Sequence, residues 1–97
     1  MNVTLSFLKQ KRCKIIELAK RHGANNIRIF GSVARGEANA ESDIDFLVNM
    51  NANKGLLEKI ALIQDLETFL NKKIDVVTEK SLHWYIRERV IKEAVSL

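Results

Sequence analysis

The chain has 97 residues, 46% hydrophobic and 29% charged, a balance that fits one globular domain spanning 1–97 and excludes a second independent core or a disordered chain. Its one cysteine, Cys13, excludes an internal disulfide and a cysteine-based zinc site, which points to a reducing compartment, the cytoplasm. A formal net charge of +4 favours polyanions, nucleotides among them, and the chain holds neither an export-type apolar segment nor the run of about eighteen apolar residues that a membrane span needs.

Leu5, Leu8, Ile15, Ile16 and Ala19 recur at near-helical spacing and Gly23 follows, so a first helix is expected over 4–22. The β-branched and aromatic NIRIF predicts a strand over 26–30 that feeds a turn at Gly31. VARGEA has room for only a short helix, interrupted by Gly36, with NAES as connecting loop. DIDFLVNM then alternates, which sets Ile44, Phe46 and Val48 on one face and Asp43, Asp45 and Leu47 on the other. Leu56, Ile60, Ile63, Leu66 and Leu70 stripe a helix over 55–70. KKIDVVT is a third strand, with Ile74 and Val76 opposite Asp75 and Val77. Leu82, Ile86, Val90, Ala94 and Leu97 mark a last helix, capped by Thr78 or Ser81. The order helix, strand, short helix, strand, helix, strand, helix predicts an α/β (α+β) domain: a small mixed three-stranded sheet, flanked by helices mainly on one face.

Several residues outside the stripes have ordinary roles in this reading. The basic segments read as solvated helix faces, and Trp84 and Tyr85 as cover for a core edge. His22 reads as a helix-end residue, Cys13 as a buried small hydrophobe, and Gly36 as a backbone device.

The aspartates are different. Two carboxylates on one strand face, about 6 Å apart, repel by roughly 3 kcal/mol at an effective dielectric near 20, a large share of a small domain's stability. A wet strand face or a bound cation would relieve them. Aspartate is a poor strand former, and a pair inside DIDFLV works against local propensity, which marks functional sites. Asp75, on the next strand, makes a third carboxylate. Hard oxygen ligands select Mg²⁺ or Mn²⁺, which complete their coordination with water and substrate phosphates. Gly31 lets backbone approach a phosphate, Ser32 adds a hydroxyl, and Arg35 adds a guanidinium fork. These parts suit phosphoryl or nucleotidyl transfer, in which positioning and charge stabilisation supply most of the rate.

Gly31-Ser32, ten intervening residues and then Asp43-Ile44-Asp45, within FGSVARGEANAESDIDFLV, resemble the GSx₁₀DxD signature of the DNA polymerase beta-type nucleotidyltransferase superfamily. The likeness is strongest to its small branch, the minimal nucleotidyltransferases (MNT), which include MntA-type antitoxins of HEPN/MNT toxin–antitoxin pairs. The resemblance implies a nucleotidyltransferase core with two Mg²⁺ ions and ATP as substrate. By it, Asp43 and Asp45 ligate both metals, Asp75 ligates the catalytic one and helps activate a hydroxyl, and Gly31 with Ser32 hold the terminal phosphates. The implied activity is transfer of AMP to a tyrosine of a partner HEPN toxin, in a hetero-oligomer, with a homodimer when alone. With one core and no added acceptor-binding domain, the acceptor is expected to bring its own surface. Two alternatives stand beside this: neutralisation by binding, with catalysis dispensable, and nucleotide addition to RNA. Stable nucleic-acid binding is not expected, since no basic groove rich in aromatics is present.

Overall fold

The structure, a computed structural model, describes residues 3–97. Thr4 caps α1 (Leu5–Gln10), its hydroxyl accepting from the Phe7 amide at 3.1 Å. Lys11 then leaves helical geometry at φ −99°, and α2 (Arg12–Arg21) starts anew, so the single helix expected over 4–22 is two. The break falls where the apolar stripe lapses. Between buried Leu8 and buried Ile15 lies KQKRCK, whose Cys13 is exposed, contrary to its expected burial.

β1 (Ala24–Phe30) begins before the expected strand and contains a bulge. Its pairing shifts from Asn25↔Asn49 to Arg28↔Leu47, leaving one extra residue in β1, and Asn26 takes the left-handed φ of 53° that absorbs it. Ala24, Ile27 and Ile29 thereby all reach one core despite their uneven spacing. α3 (Gly31–Arg35) ends on Gly36 at φ 74°, the backbone role foreseen for that glycine. β2 (Ile44–Met50) is antiparallel to β1, and Asp43 precedes it instead of opening it.

In α4 (Leu56–Leu70) the packed stripe is Leu62, Leu66 and Leu70, whereas Leu56 and Ile60, expected inside, are 68% and 41% exposed. The helix carries apolar residues on more than one stripe, and periodicity alone does not choose which meets the sheet. β3 (Ile74–Thr78) runs parallel to β2. The expected caps Thr78 and Ser81 bond instead to each other, amide to hydroxyl at 3.0 and 3.1 Å, and His83 caps α5 (Trp84–Glu93), its Nδ1 accepting from the Tyr85 amide at 3.1 Å. Trp84 and Tyr85 are both 76% exposed and cover no core.

The last helix does not continue to Leu97. Ala94 turns extended, and β4 (Val95–Ser96) pairs with the open edge of β1 through Ile29↔Val95 and Arg28↔Ser96. The sheet is mixed, as expected, but has four strands in the order β3-β2-β1-β4. Helices cover both faces. A larger core gathers Leu8, Ile15, Leu18, Ile29, Ile44, Phe46, Val48, Leu62 and Leu66, and a smaller one joins Leu47 to Leu82 and Val90 on the side of α5. Leu47, placed by period on the aspartate face, is fully buried there. Among the described residues no helix is long and apolar enough to cross a membrane.

Candidate active site

Strand register builds the site. Phe30 pairs with Asp45, and Asp45 with Asp75, so the end of β1 and the starts of β2 and β3 form one row across three strands. Asp43 lies two residues before Asp45, and Gly31 directly follows Phe30. Ile44 and Phe46, both fully buried, fix the backbone on either side of Asp45. Gly31 adopts φ 76°, and a Cβ there would collide with Asp45 Oδ2, so only glycine allows this turn to close against that carboxylate. The sequence motif is thus a spatial contact, and the step from strand to turn meets the aspartate strand side by side.

Asp45 is half-buried, Asp43 likewise, and Asp75 exposed. Burial pushes the Asp45 carboxyl up to about 6, aided by the charges of Asp75 and Asp43 and opposed by Arg35. Asp45 therefore feels both of the other carboxylates. Among the described residues no group of three or more His, Cys, Asp and Glu side chains is gathered tightly enough to enclose an ion.

Ser32 sits half-buried in the first turn of α3, beside Gly31. Arg35 closes α3 and is exposed; its Nε donates to Glu37 at 2.6 Å and its Nη1 to Glu93 at 2.8 Å. Those carboxylates, Glu93 first, hold the guanidinium charged above its ordinary range. Glu93 also accepts from the Gly31 amide at 3.0 Å, and this residue was absent from the sequence reading. Its place in RERVIKEA looks like any solvated helix charge, and no local pattern distinguishes it. Arg28 was missed too: buried in β1, it donates to Asn26 O, Glu79 and Asn49 at 3.1, 3.3 and 3.2 Å.

The site is an open ledge. A cleft of about 660 Å³ lies towards the other ends of β2 and β3, lined by Lys54, Lys59 and Lys80 among others, and includes none of the three aspartates. Register and charge, not concavity, bring the aspartates together with Gly31.

Residues 12–97 match the nucleotidyltransferase domain family. The chain belongs to that family. This nucleotidyltransferase is 42% identical over 84 residues to a Methanocaldococcus jannaschii protein provisionally named a protein adenylyltransferase, a match covering 87% of this chain and 90% of the relative. It is 40% identical over 79 residues to the protein adenylyltransferase MntA of Thermococcus cleftensis, covering 81% of this chain and 80% of that one. A solved structure provisionally described as a minimal nucleotidyltransferase superposes with a TM-score of 0.87 at 41% identity, over 98% of this chain and 97% of the other. A toxin–antitoxin crystal structure with AMP-PNP superposes with a TM-score of 0.74 at 26% identity, over 87% of this chain and 69% of that one. The four-stranded arrangement is therefore a minimal nucleotidyltransferase fold, as the motif implied.

Proposed function

We propose that residues 1–97 act as a single-domain, Mg²⁺-dependent protein adenylyltransferase: it transfers AMP from ATP to a tyrosine hydroxyl of a partner HEPN-type toxin, releases pyrophosphate, and is the antitoxin of that pair. The observation that carries this reading is the row of Phe30, Asp45 and Asp75 with Gly31 closed against Asp45. Relatives named as protein adenylyltransferases support the reaction, and the toxin–antitoxin structure with AMP-PNP supports both nucleotide and partner class. The exposed, free Cys13 suits the reducing cytoplasm.

Asp43, Asp45 and Asp75 are the proposed metal ligands. All three are carboxylates, without thiolate or imidazole, which fits Mg²⁺ or Mn²⁺, and an incomplete protein cage is normal for Mg²⁺, which takes water and phosphate oxygens as well. When bound, such ions neutralise the triphosphate and leaving pyrophosphate and acidify the attacking hydroxyl. Asp45, crowded by burial and by two like charges, gains most from a nearby cation. Gly31, lacking a Cβ, admits the terminal phosphates to the backbone, Ser32 offers its hydroxyl, and Arg35 offers its guanidinium to phosphate oxygens. Asp75 lies exposed on the edge strand β3, so a hydroxyl on a folded protein reaches it without entering a cavity.

The test incubates the chain with α-labelled ATP, Mg²⁺ and its genomic neighbour. Label should appear on a tyrosine of the neighbour and vanish with the Asp43→Ala, Asp45→Ala double variant. Label that persists in the double variant removes the metal-site mechanism, and protection of cells without any labelling leaves neutralisation by binding.

A further inference from the structure

The Glu93 carboxylate spans two donors. One oxygen accepts from the Gly31 amide at 3.0 Å and the other from Arg35 Nη1 at 2.8 Å. Two oxygens bridging a backbone N–H and a guanidinium is also how a phosphoryl group would sit, and these donors are two of the three groups assigned above to the phosphates. We propose that Glu93 is an intramolecular competitor for the nucleotide: its carboxylate occupies the phosphate receptor, and Mg²⁺-ATP binds by displacing it. This rests on the nucleotide reading of the same site.

Three features favour displacement over a permanent role. First, Glu93 is kept ionised: although burial works against the charge, the Arg35 and Gly31 hydrogen bonds and the charges of Arg35 and Arg89 hold its carboxyl below the usual range. A fixed anion at the phosphate receptor opposes a triphosphate. Second, the side chain is 24% exposed, so solvent already reaches the carboxylate. Third, Glu93 is the last residue of α5, where the chain turns extended into the two-residue β4, so its carboxylate stands at a helix end. The catch is therefore local: two hydrogen bonds made by one side chain.

Binding of ATP and of inorganic tripolyphosphate, each with Mg²⁺, is measured by calorimetry on wild type and Glu93→Gln, with folding checked by circular dichroism. Removing a charge-assisted competitor should tighten both ligands by about tenfold. The gain for tripolyphosphate, which lacks adenosine, assigns the effect to the phosphate receptor. Equal or weaker binding by Glu93→Gln overturns the proposal and makes Glu93 a positioning residue for Gly31 and Arg35. If Glu93→Gln unfolds, Glu93→Asp replaces it: one methylene short of spanning both donors, it too must bind more tightly than wild type. If folded wild type and variant bind neither ligand, the nucleotide reading itself falls, and the competitor with it.

Discussion

Asp45→Asn should make the metal-free protein more stable while abolishing transfer. The Asp45 carboxyl is pushed from 3.8 to about 6 by burial first, then by Asp75 and Asp43. The folded chain thus holds this proton more tightly than the unfolded one, so the group's contribution is full below about pH 3.8 and is lost as pH rises through about 6. At about 1.4 kcal/mol per factor of ten in proton affinity, the ionised form costs up to ~3 kcal/mol at neutral pH, nearer ~2 after allowing for screening at this half-open site. Asparagine keeps the shape and removes the charge. In a domain of this size 1 kcal/mol moves Tm by about 4–8 °C, so Asp45→Asn should melt roughly 8–16 °C above wild type at pH 7.5 with EDTA present. The gap should narrow steadily below pH 6 and be small at pH 4, where the folded carboxyl is protonated and the unfolded one is about half so. Scanning calorimetry from pH 4 to 8 measures it. A variant that melts below wild type at pH 7.5, or a gap that does not change with pH, would refute the account of Asp45 as a strained carboxylate awaiting a cation.

Gly31→Ala should fail twice, since its Cβ meets Asp45 and its φ of 76° disfavours an L side chain; we expect a loss of about 2 kcal/mol in urea titration together with loss of transfer activity. Arg28→Ala, which leaves Glu79 and Asn49 without their partner beside the core, should cost about 3 kcal/mol by the same titration, and Arg28→Met noticeably less. His22 bonds Asp65 at 2.6 Å and Glu58 at 2.9 Å, and these carboxylates, Asp65 first, raise its pKa. Its stabilisation is full below about pH 6.5 and fades as pH climbs through the raised value, so His22→Gln should lose about 1 kcal/mol at pH 5.5 and little at pH 8.5.

What could be read from the chain was whatever its own neighbours determine. The alternation of DIDFLV, the glycine-serine step and the acidic residue in KIDVV announce the ledge because a strand's period places side chains without help from the rest of the fold. The register that sets Asp45 between Phe30 and Asp75 could be hoped for but not read, as ladder pairing depends on where distant strands meet. The bulge at Asn26 and the terminal strand β4 were hidden for a related reason. A left-handed asparagine is decided by the partner strand it must match, and VSL is helical by spacing until the bare edge of β1 offers it hydrogen bonds. Trp84 and Tyr85 are expected at a core edge because aromatic side chains usually find one, yet both stand exposed at the start of α5, edge-on to each other. Glu93 was invisible altogether, since its meaning lies in a contact sixty-two positions away.

The antiparallel ladder between β1 and β2 holds Phe30 opposite Asp45 whatever joins them. The mostly exposed stretch from Gly36 to Ser42 rests on the core at Ala38 and takes Lys72 Nζ at the Ala40 carbonyl, and its other bonds are short-range ones such as Asn39 to Ser42. Lengthening such a loop costs only a logarithm of its size. That makes the part after Glu37 a graft point: residues inserted there would leave the Glu37 bond to Arg35 in place, hang beside the aspartates, and could carry new acceptor preferences.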